Sequence, residues 1–165
     1  MDKLAYPLKQ ACKAMFSLTD EQFNLYDNDA AWKVQPQDKF YGVSWRQVNI
    51  DLSEVFIKRH YDMAFFGRSL VTRIKNSDKQ LFIITDSGFV EEVAPLIHEF
   101  GAENVHLIKL YRLGCTFAGD SRKYLDADQL GITEYMLNNV NLDTYLACGS
   151  ELIYSLTYPI KSAIL

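Results

Sequence analysis

The sequence has few cysteines and no long apolar run. Its three cysteines, Cys12, Cys115 and Cys148, form no CxxC pair, and their odd number leaves one unmatched in any disulfide scheme. The first residues contain no apolar signal segment, and no stretch approaches the roughly 18 uninterrupted apolar residues of a membrane span. We therefore expect a reduced, cytoplasmic protein that is neither secreted nor inserted into a membrane.

The sequence also lacks an excess of positive charge. Its 17 Lys and Arg residues stand against 21 Asp and Glu residues, which gives a net charge of −4. This balance argues against nucleic-acid binding by bulk attraction to phosphate, but it leaves room for a local basic pocket. With 165 residues, 48% of them hydrophobic, the chain is expected to form one globular domain over residues 1–165.

Several catalytic motifs are missing from the sequence. None of the eight glycines is followed by lysine, so the phosphate-binding motif G-x-x-x-x-G-K-[ST] is absent. The sequence contains no GxSxG, no HExxH, and no histidine placed with cysteine or carboxylate at the spacing of metal ligands. Hydrolase and zinc-enzyme functions lose most of their support, and no metal site is expected.

The centre of the chain carries the clearest structural pattern. Residues 81–85 are a continuous apolar run, residues 90–100 have helical periodicity with Gly101 as the expected stop, and residues 105–110 are a second apolar run. Strand, helix and strand in this order predict a right-handed βαβ unit of a parallel sheet. Helices are also predicted over residues 6–16, 44–60, 67–74 and about 142–156, and a loop over 27–39.

Asp86 is the first candidate site residue, because ligands of parallel sheets bind where the strands end. A carboxylate there can orient a metal ion or take a proton. Alternatively, it caps the helix that begins after Ser87. The sequence leaves both interpretations open.

Arg112, Arg122 and Lys123 bracket a glycine-containing excursion over about 112–131. Guanidinium groups on such a loop can clamp phosphate when the loop closes, and the alternative is an ordinary solvated loop. Lys9, Arg46 and Arg68 are helix-borne cations whose default role is solubility.

Several short motifs follow one another in a recognisable order. Residues 4–9 (LAYPLK) and 15–22 (MFSLTDEQ) resemble the A-D-P-L-K and F-G-L-T-D-E-Q stretches of one kinase family. Residues 42–47 (GVSWRQ), 81–86 (LFIITD) and the loop after Arg112 continue that family's order. Over most of residues 4–156, the chain resembles the phage-type deoxynucleoside monophosphate kinases.

The resemblance implies an α/β fold of the P-loop nucleotide-kinase type, with a three-layer parallel sheet, helices on both faces and a truncated N-terminus. It implies ATP and Mg²⁺ as cofactors if the protein is active. It also implies roles for particular side chains: Asp86, Arg112 and Arg122 in catalysis, and Lys9, Arg46, Arg68 and Lys123 in substrate binding. Catalysis in such enzymes rests on positioning and on electrostatic stabilisation of the transferred phosphoryl group.

The sequence departs from the family pattern in two places, and these departures lead to two functional hypotheses. The Walker A segment is absent, and Ser87-Gly88 follows Asp86 where the family has an arginine. The chain is either a kinase that transfers a phosphoryl group from ATP to a deoxynucleoside monophosphate, or an inactive kinase-derived module that binds a nucleotide or a protein. A sheet without its first strand exposes an edge, so a second copy or a partner chain is expected to cover it. If the protein is phage-encoded, its location is the host cytoplasm.

Overall fold

The protein is mainly helical. The computed structural model describes residues 2–118 and 123–157, and the helical fraction is 58%. The α-helices are α1 (Tyr6–Met15), α2 (Asp20–Asn28), α3 (Ala30–Val34), α4 (Trp45–Ile50), α5 (Phe65–Lys75), α6 (Val90–Phe100), α7 (Ala127–Leu130) and α8 (Leu142–Thr157). A π-helix (Asp51–Lys58) continues α4, and short 3₁₀ turns occur at Asp38–Phe40 and Ala102–Asn104.

Two small sheets accompany the helices in the described part of the chain. Strands β1 (Pro36–Gln37) and β2 (Val43–Ser44) pair antiparallel. Strands β3 (His106–Tyr111) and β4 (Thr133–Asn138) pair in parallel along their whole length. The predicted three-layer parallel sheet of a P-loop kinase is therefore wrong.

Residues 81–85 show why that prediction failed. A strand needs a hydrogen-bonded neighbour as well as apolar side chains, and within the described residues this run makes only one bridge, between Ile84 and Asp2. The Asp2 amide donates to the Ile83 carbonyl at 2.9 Å. Leu81 and Ile83 remain exposed. The first strand of the predicted βαβ unit is thus absent, although its helix and its second strand form as α6 and β3.

Capping residues mark the ends of several helices. Thr19 forms a complete capping box with Gln22 at the start of α2. The Ser44 hydroxyl accepts from the Gln47 amide at 3.1 Å, as expected at the start of α4. The Gln47 side chain, however, donates to Asp51 at 2.7 Å, so Ser44 and Gln47 do not form a complete capping box. Gly101 ends α6 with φ of 85°, a conformation that favours glycine.

The predicted loop over residues 27–39 is wrong. Helix α2 continues to Asn28, and α3 begins two residues later. The Asp29 carboxylate accepts hydrogen bonds from the amides of Ala31 and Trp32, which supplies the N-cap of α3. A short helix of five residues has too few positions to show an apolar period.

The hydrophobic core is built from residues in the first two thirds of the chain. Trp45 is fully buried, and its ring lies 5.5 Å from that of Phe40 and 6.0 Å from that of Phe23. Helices α5 and α6 pack closely, since a Cβ at Gly67 would lie 2.1 Å from the carbonyl oxygen of Glu92.

The side chains from β3 to α8 are less buried than those of the hydrophobic core. None of the residues of α8 is buried, and Leu110, Met136 and Leu146 are exposed. The prediction that a second copy or a partner covers the sheet stays a prediction. Within residues 2–118 and 123–157, no helix combines the length and the apolar character needed to cross a membrane.

Candidate functional site

Two adjoining clefts share Lys9 and Asp27. The large cleft has a volume of about 530 Å³ and is lined by Asp2, Lys3, Tyr6, Lys9, Gln10, Phe23, Asp27, Asn28, Arg73 and Thr85. The small cleft has a volume of about 170 Å³ and is lined by Leu8, Lys9, Asp27, Lys33, Trp45, Arg46, Asn49, Ile50, Ser53 and Glu54. Lys9 on α1 and Asp27 on α2 form the boundary between the two spaces.

Asp27 is a buried carboxylate that organises this boundary. The Lys9 ammonium lies 2.8 Å from each of its two oxygens, and the indole Nε1–H of Trp45 donates to Oδ1 at 3.2 Å. Burial acts to raise the pKa of Asp27, but the hydrogen bonds from Lys9 and Trp45 and the nearby positive charges hold it below the usual range. Asp27 is therefore ionised at neutral pH.

The cations around Asp27 outnumber it. The Lys33 ammonium donates to the backbone carbonyl of Asp27 at 3.2 Å. Burial lowers the pKa of Lys33, and repulsion from Lys9 adds to this effect. Arg46 and Lys3 repel Lys33 as well, more weakly, while Asp27 opposes the shift. Four cations thus lie near Asp27, and Asp2 and Glu54 add two further carboxylates to the lining of the clefts.

The large cleft adds aromatic and amide groups to this charge. Tyr6 and Phe23 line it together with the side chains of Gln10 and Asn28. Aromatic rings can stack on a flat heterocycle, and amides can pair with its polar edge. In the same lining, the Arg73 guanidinium contacts both carboxylate oxygens of Asp2 at 3.2 Å, so Asp2 already neutralises this cation.

The small cleft is bordered by the junction of α4 with the π-helix. The widened turns of a π-helix frequently occur at functional sites, and here they bring Ser53 and Glu54 to the cleft. The Glu54 carboxylate is paired with Lys58 at 3.0 Å. Lys58 is buried and also contacts Glu92 at 3.0 Å, which ties the π-helix to α6.

The structure brings together two of the residues that the sequence singled out. Lys9 and Arg46 are 37 positions apart in the sequence, and both line the small cleft. Arg68 lies elsewhere: it is exposed and pairs with Asp62 at 2.6 Å. Arg112 and Lys123 are exposed and line neither cleft. Arg122 lies outside the described residues.

The Asp86 carboxylate binds the backbone just ahead of α1. Its two carboxylate oxygens accept from the amide of Leu4 at 2.7 Å and from that of Ala5 at 3.0 Å, just before α1 begins. The capping interpretation is therefore wrong: the helix that follows Ser87 begins at Val90 without a side-chain cap, and the amides of Leu4 and Ala5 precede the first residue of α1. Each oxygen of Asp86 accepts one backbone hydrogen bond, and the described residues contain no group of three or more His, Cys, Asp or Glu side chains placed for a metal ion.

Sequence reasoning missed Asp27, Lys33 and Asn49. Asp27 and Lys33 lie in the segment that was predicted to be a loop, and Asn49 lies on the polar side of a predicted helix. Charged and amide residues are common in both places. One signal was present: Asp29 followed by Ala30-Ala31 is a helix start. Recognising it would have placed Lys33 one turn after Asp29 and close to the end of α2.

Comparisons with known proteins add no relative to this picture. No protein-family model, no curated protein and no solved structure matches the chain.

Proposed function

We propose that the protein binds a deoxynucleoside monophosphate across the two clefts. The observation that carries this proposal is that three cations, Lys9, Lys33 and Arg46, line the small cleft with two carboxylates, Asp27 and Glu54, of which Glu54 is paired with Lys58. A phosphate dianion would add negative charge beside this cluster of cations, and half-buried cations bind it more strongly than exposed ones do.

The sizes and linings of the two clefts suit a ligand that has a charged group at one end and a flat ring at the other. The small cleft, at about 170 Å³, is below the range of roughly 300–1,000 Å³ typical of sites for whole small molecules. It suits the phosphate and the adjoining sugar. The large cleft, with Tyr6 and Phe23 in its wall, suits the base. The sequence resemblance, which implies that Lys9 and Arg46 face a monophosphate, supports the same orientation.

Replacing Lys33 with methionine tests the phosphate contact. Methionine keeps an apolar stem of similar length and removes only the charge. We expect the affinity for deoxynucleoside monophosphates to fall about 10- to 100-fold, because a hydrogen bond between charged groups is worth about 1.5–3 kcal/mol. Isothermal titration calorimetry with each of the standard deoxynucleoside monophosphates measures the change, and the affinity of the wild type should fall as salt rises.

Lys39→Met is the matched control for this experiment. Lys39 is exposed on the 3₁₀ turn and lines neither cleft, so its loss changes the net charge equally without touching the site. Its affinity should equal that of the wild type. If the wild type binds no nucleotide, or if the two variants weaken binding equally, the proposed site is wrong.

Phosphoryl transfer is the second candidate function, and the presence of Lys9 and Arg46 at one cleft favours it. Two observations argue for binding without transfer by this chain alone: Asp86 is committed to the backbone of residues 4 and 5, and Arg112 lines neither cleft. In an incubation with ATP, magnesium and each deoxynucleoside monophosphate, we expect no diphosphate above a protein-free blank. Diphosphate formation would instead establish the kinase hypothesis.

A further inference from the structure

Among the described residues, Lys33 is a lysine of the small cleft without a carboxylate partner. Its ammonium donates to the backbone carbonyl of Asp27 at 3.2 Å. The carboxylate of Asp27 is already occupied, because each of its oxygens lies 2.8 Å from the Lys9 ammonium. The other carboxylate in the lining, Glu54, is paired with Lys58 at 3.0 Å. Lys33 therefore lies in the cleft with only a neutral carbonyl to hold it.

The surroundings of Lys33 favour the loss of its proton. Lys33 is half-buried, and burial lowers its pKa because it removes water from the charged form. Repulsion from Lys9 lowers the pKa further. The charge of Asp27 opposes the shift, and Arg46 and Lys3 add weaker repulsion. A larger share of this amine is thus neutral than of an exposed lysine, and the neutral amine is the nucleophilic form.

We propose that Lys33 is a nucleophile that forms an imine with a small aldehyde in the small cleft. The lone pair of the neutral amine attacks the carbonyl carbon, a C–N bond forms, and the C=O π electrons move to oxygen. One proton passes from nitrogen to that oxygen, which gives a hydroxyl group. The hydroxyl then leaves with the second amine proton as water, and a C=N bond remains. The step releases one water molecule and needs no oxidant or reductant.

The size of the small cleft sets the size of the aldehyde. A water molecule takes about 30 Å³ of the liquid, so a cleft of about 170 Å³ holds roughly five or six heavy atoms. This inference goes beyond the proposed function and needs no nucleotide. A bound phosphate would keep the Lys33 amine protonated, so the imine belongs to the cleft without nucleotide.

Reductive trapping of the imine tests the inference on the wild-type protein. The probe is glyoxylate, an aldehyde small enough for the cleft, and sodium cyanoborohydride reduces each imine to a stable carboxymethyl-lysine. Lys39 is the matched internal control, because it is exposed and lines neither cleft. Chymotrypsin cleaves after Trp32 and Phe40, so both lysines lie on the peptide 33–40. Fragmentation of that peptide by mass spectrometry gives the rate at each lysine separately.

At about pH 7 we expect Lys33 to be modified about tenfold faster than Lys39 in the native protein, because more of its amine is neutral. In concentrated urea the two rates should be equal, since the unfolded chain exposes both amines. Equal rates in the native protein, or a slower rate at Lys33, would overturn the inference. A preference for Lys33 that persists in urea would overturn it as well, because the cause would then be the local sequence and not the cleft.

Discussion

Lys58→Met should destabilise the protein by about 3–5 kcal/mol at neutral pH, the cost of removing one partner from a buried ion pair. The Lys58 ammonium contacts Glu54 and Glu92, each at 3.0 Å, and lies 3.7 Å from the centre of the Phe89 ring. Lys58 and Glu92 are both buried. Without the cation, Glu92 would keep a charge in an apolar setting. Urea denaturation followed by circular dichroism measures the loss.

The loss of stability in Lys58→Met should become smaller as the pH falls. Burial raises the pKa of Glu92 even in the intact protein, although Lys58 opposes this effect. A group whose pKa is higher in the folded than in the unfolded protein binds more protons when the protein is folded. Its contribution to stability therefore becomes less favourable as the pH rises from the unfolded pKa through the folded pKa. Removing Lys58 raises the pKa of Glu92 further. The difference between variant and wild type should therefore be smaller at about pH 5 than at about pH 8.

Two further variants control the Lys58 experiment. The double variant Lys58→Met, Glu92→Gln removes the orphaned charge and should recover most of the lost stability. Lys75→Met breaks the exposed pair between Lys75 and Glu99, and it should change stability little because exposed pairs are screened by water. A double variant no more stable than the single one would show that Glu92 does not cause the loss.

Trp45→Ala should also cost about 3–5 kcal/mol, the range for deleting a large aromatic side chain from a core. Trp45 is fully buried, contacts the rings of Phe23 and Phe40, and donates to Asp27. The substitution removes the packing and leaves one carboxylate oxygen without its indole donor. The same denaturation measurement reports the loss.

Trp45→Phe separates the two contributions of Trp45. Phenylalanine keeps part of the ring packing and lacks the N–H, so we expect a loss smaller than that of the alanine variant. Trp32→Ala is the control, because Trp32 is exposed on α3 and its removal should cost under about 1 kcal/mol. Equal stability of Trp45→Ala and the wild type would contradict the core assignment.

The helices were largely predictable from the sequence, because their signals are local. Ser44 and Gly101 each act within four residues of their own position, and the structure confirms the helix ends they mark. The sheet was not predictable in the same way. Residues 81–85 have the composition of a buried strand, but composition does not specify a partner, and the described chain gives this run only Asp2.

The site was predictable in part, for a related reason. Lys9 and Arg46 entered through the resemblance, which carries information about distant contacts that periodicity does not. Asp27 and Lys33 had no such support, since their importance arises from burial and from mutual distance in the folded chain. For Asp86 the sequence left both a catalytic and a capping role open, and the structure shows its carboxylate bound to the backbone amides that precede α1.

The π-helix makes the cleft depend on chain length as well as on residue identity. Each residue of an α-helix turns the chain by about 100°, so deleting one residue within Asp51–Lys58 would rotate the following side chains by roughly that angle. The backbone would stay helical, yet Lys58 would no longer point at Glu92, and the π-helix would lose its ion pair with α6. Counting residues in this segment therefore matters when related sequences are aligned, because an insertion or deletion there redirects its side chains without changing their identity.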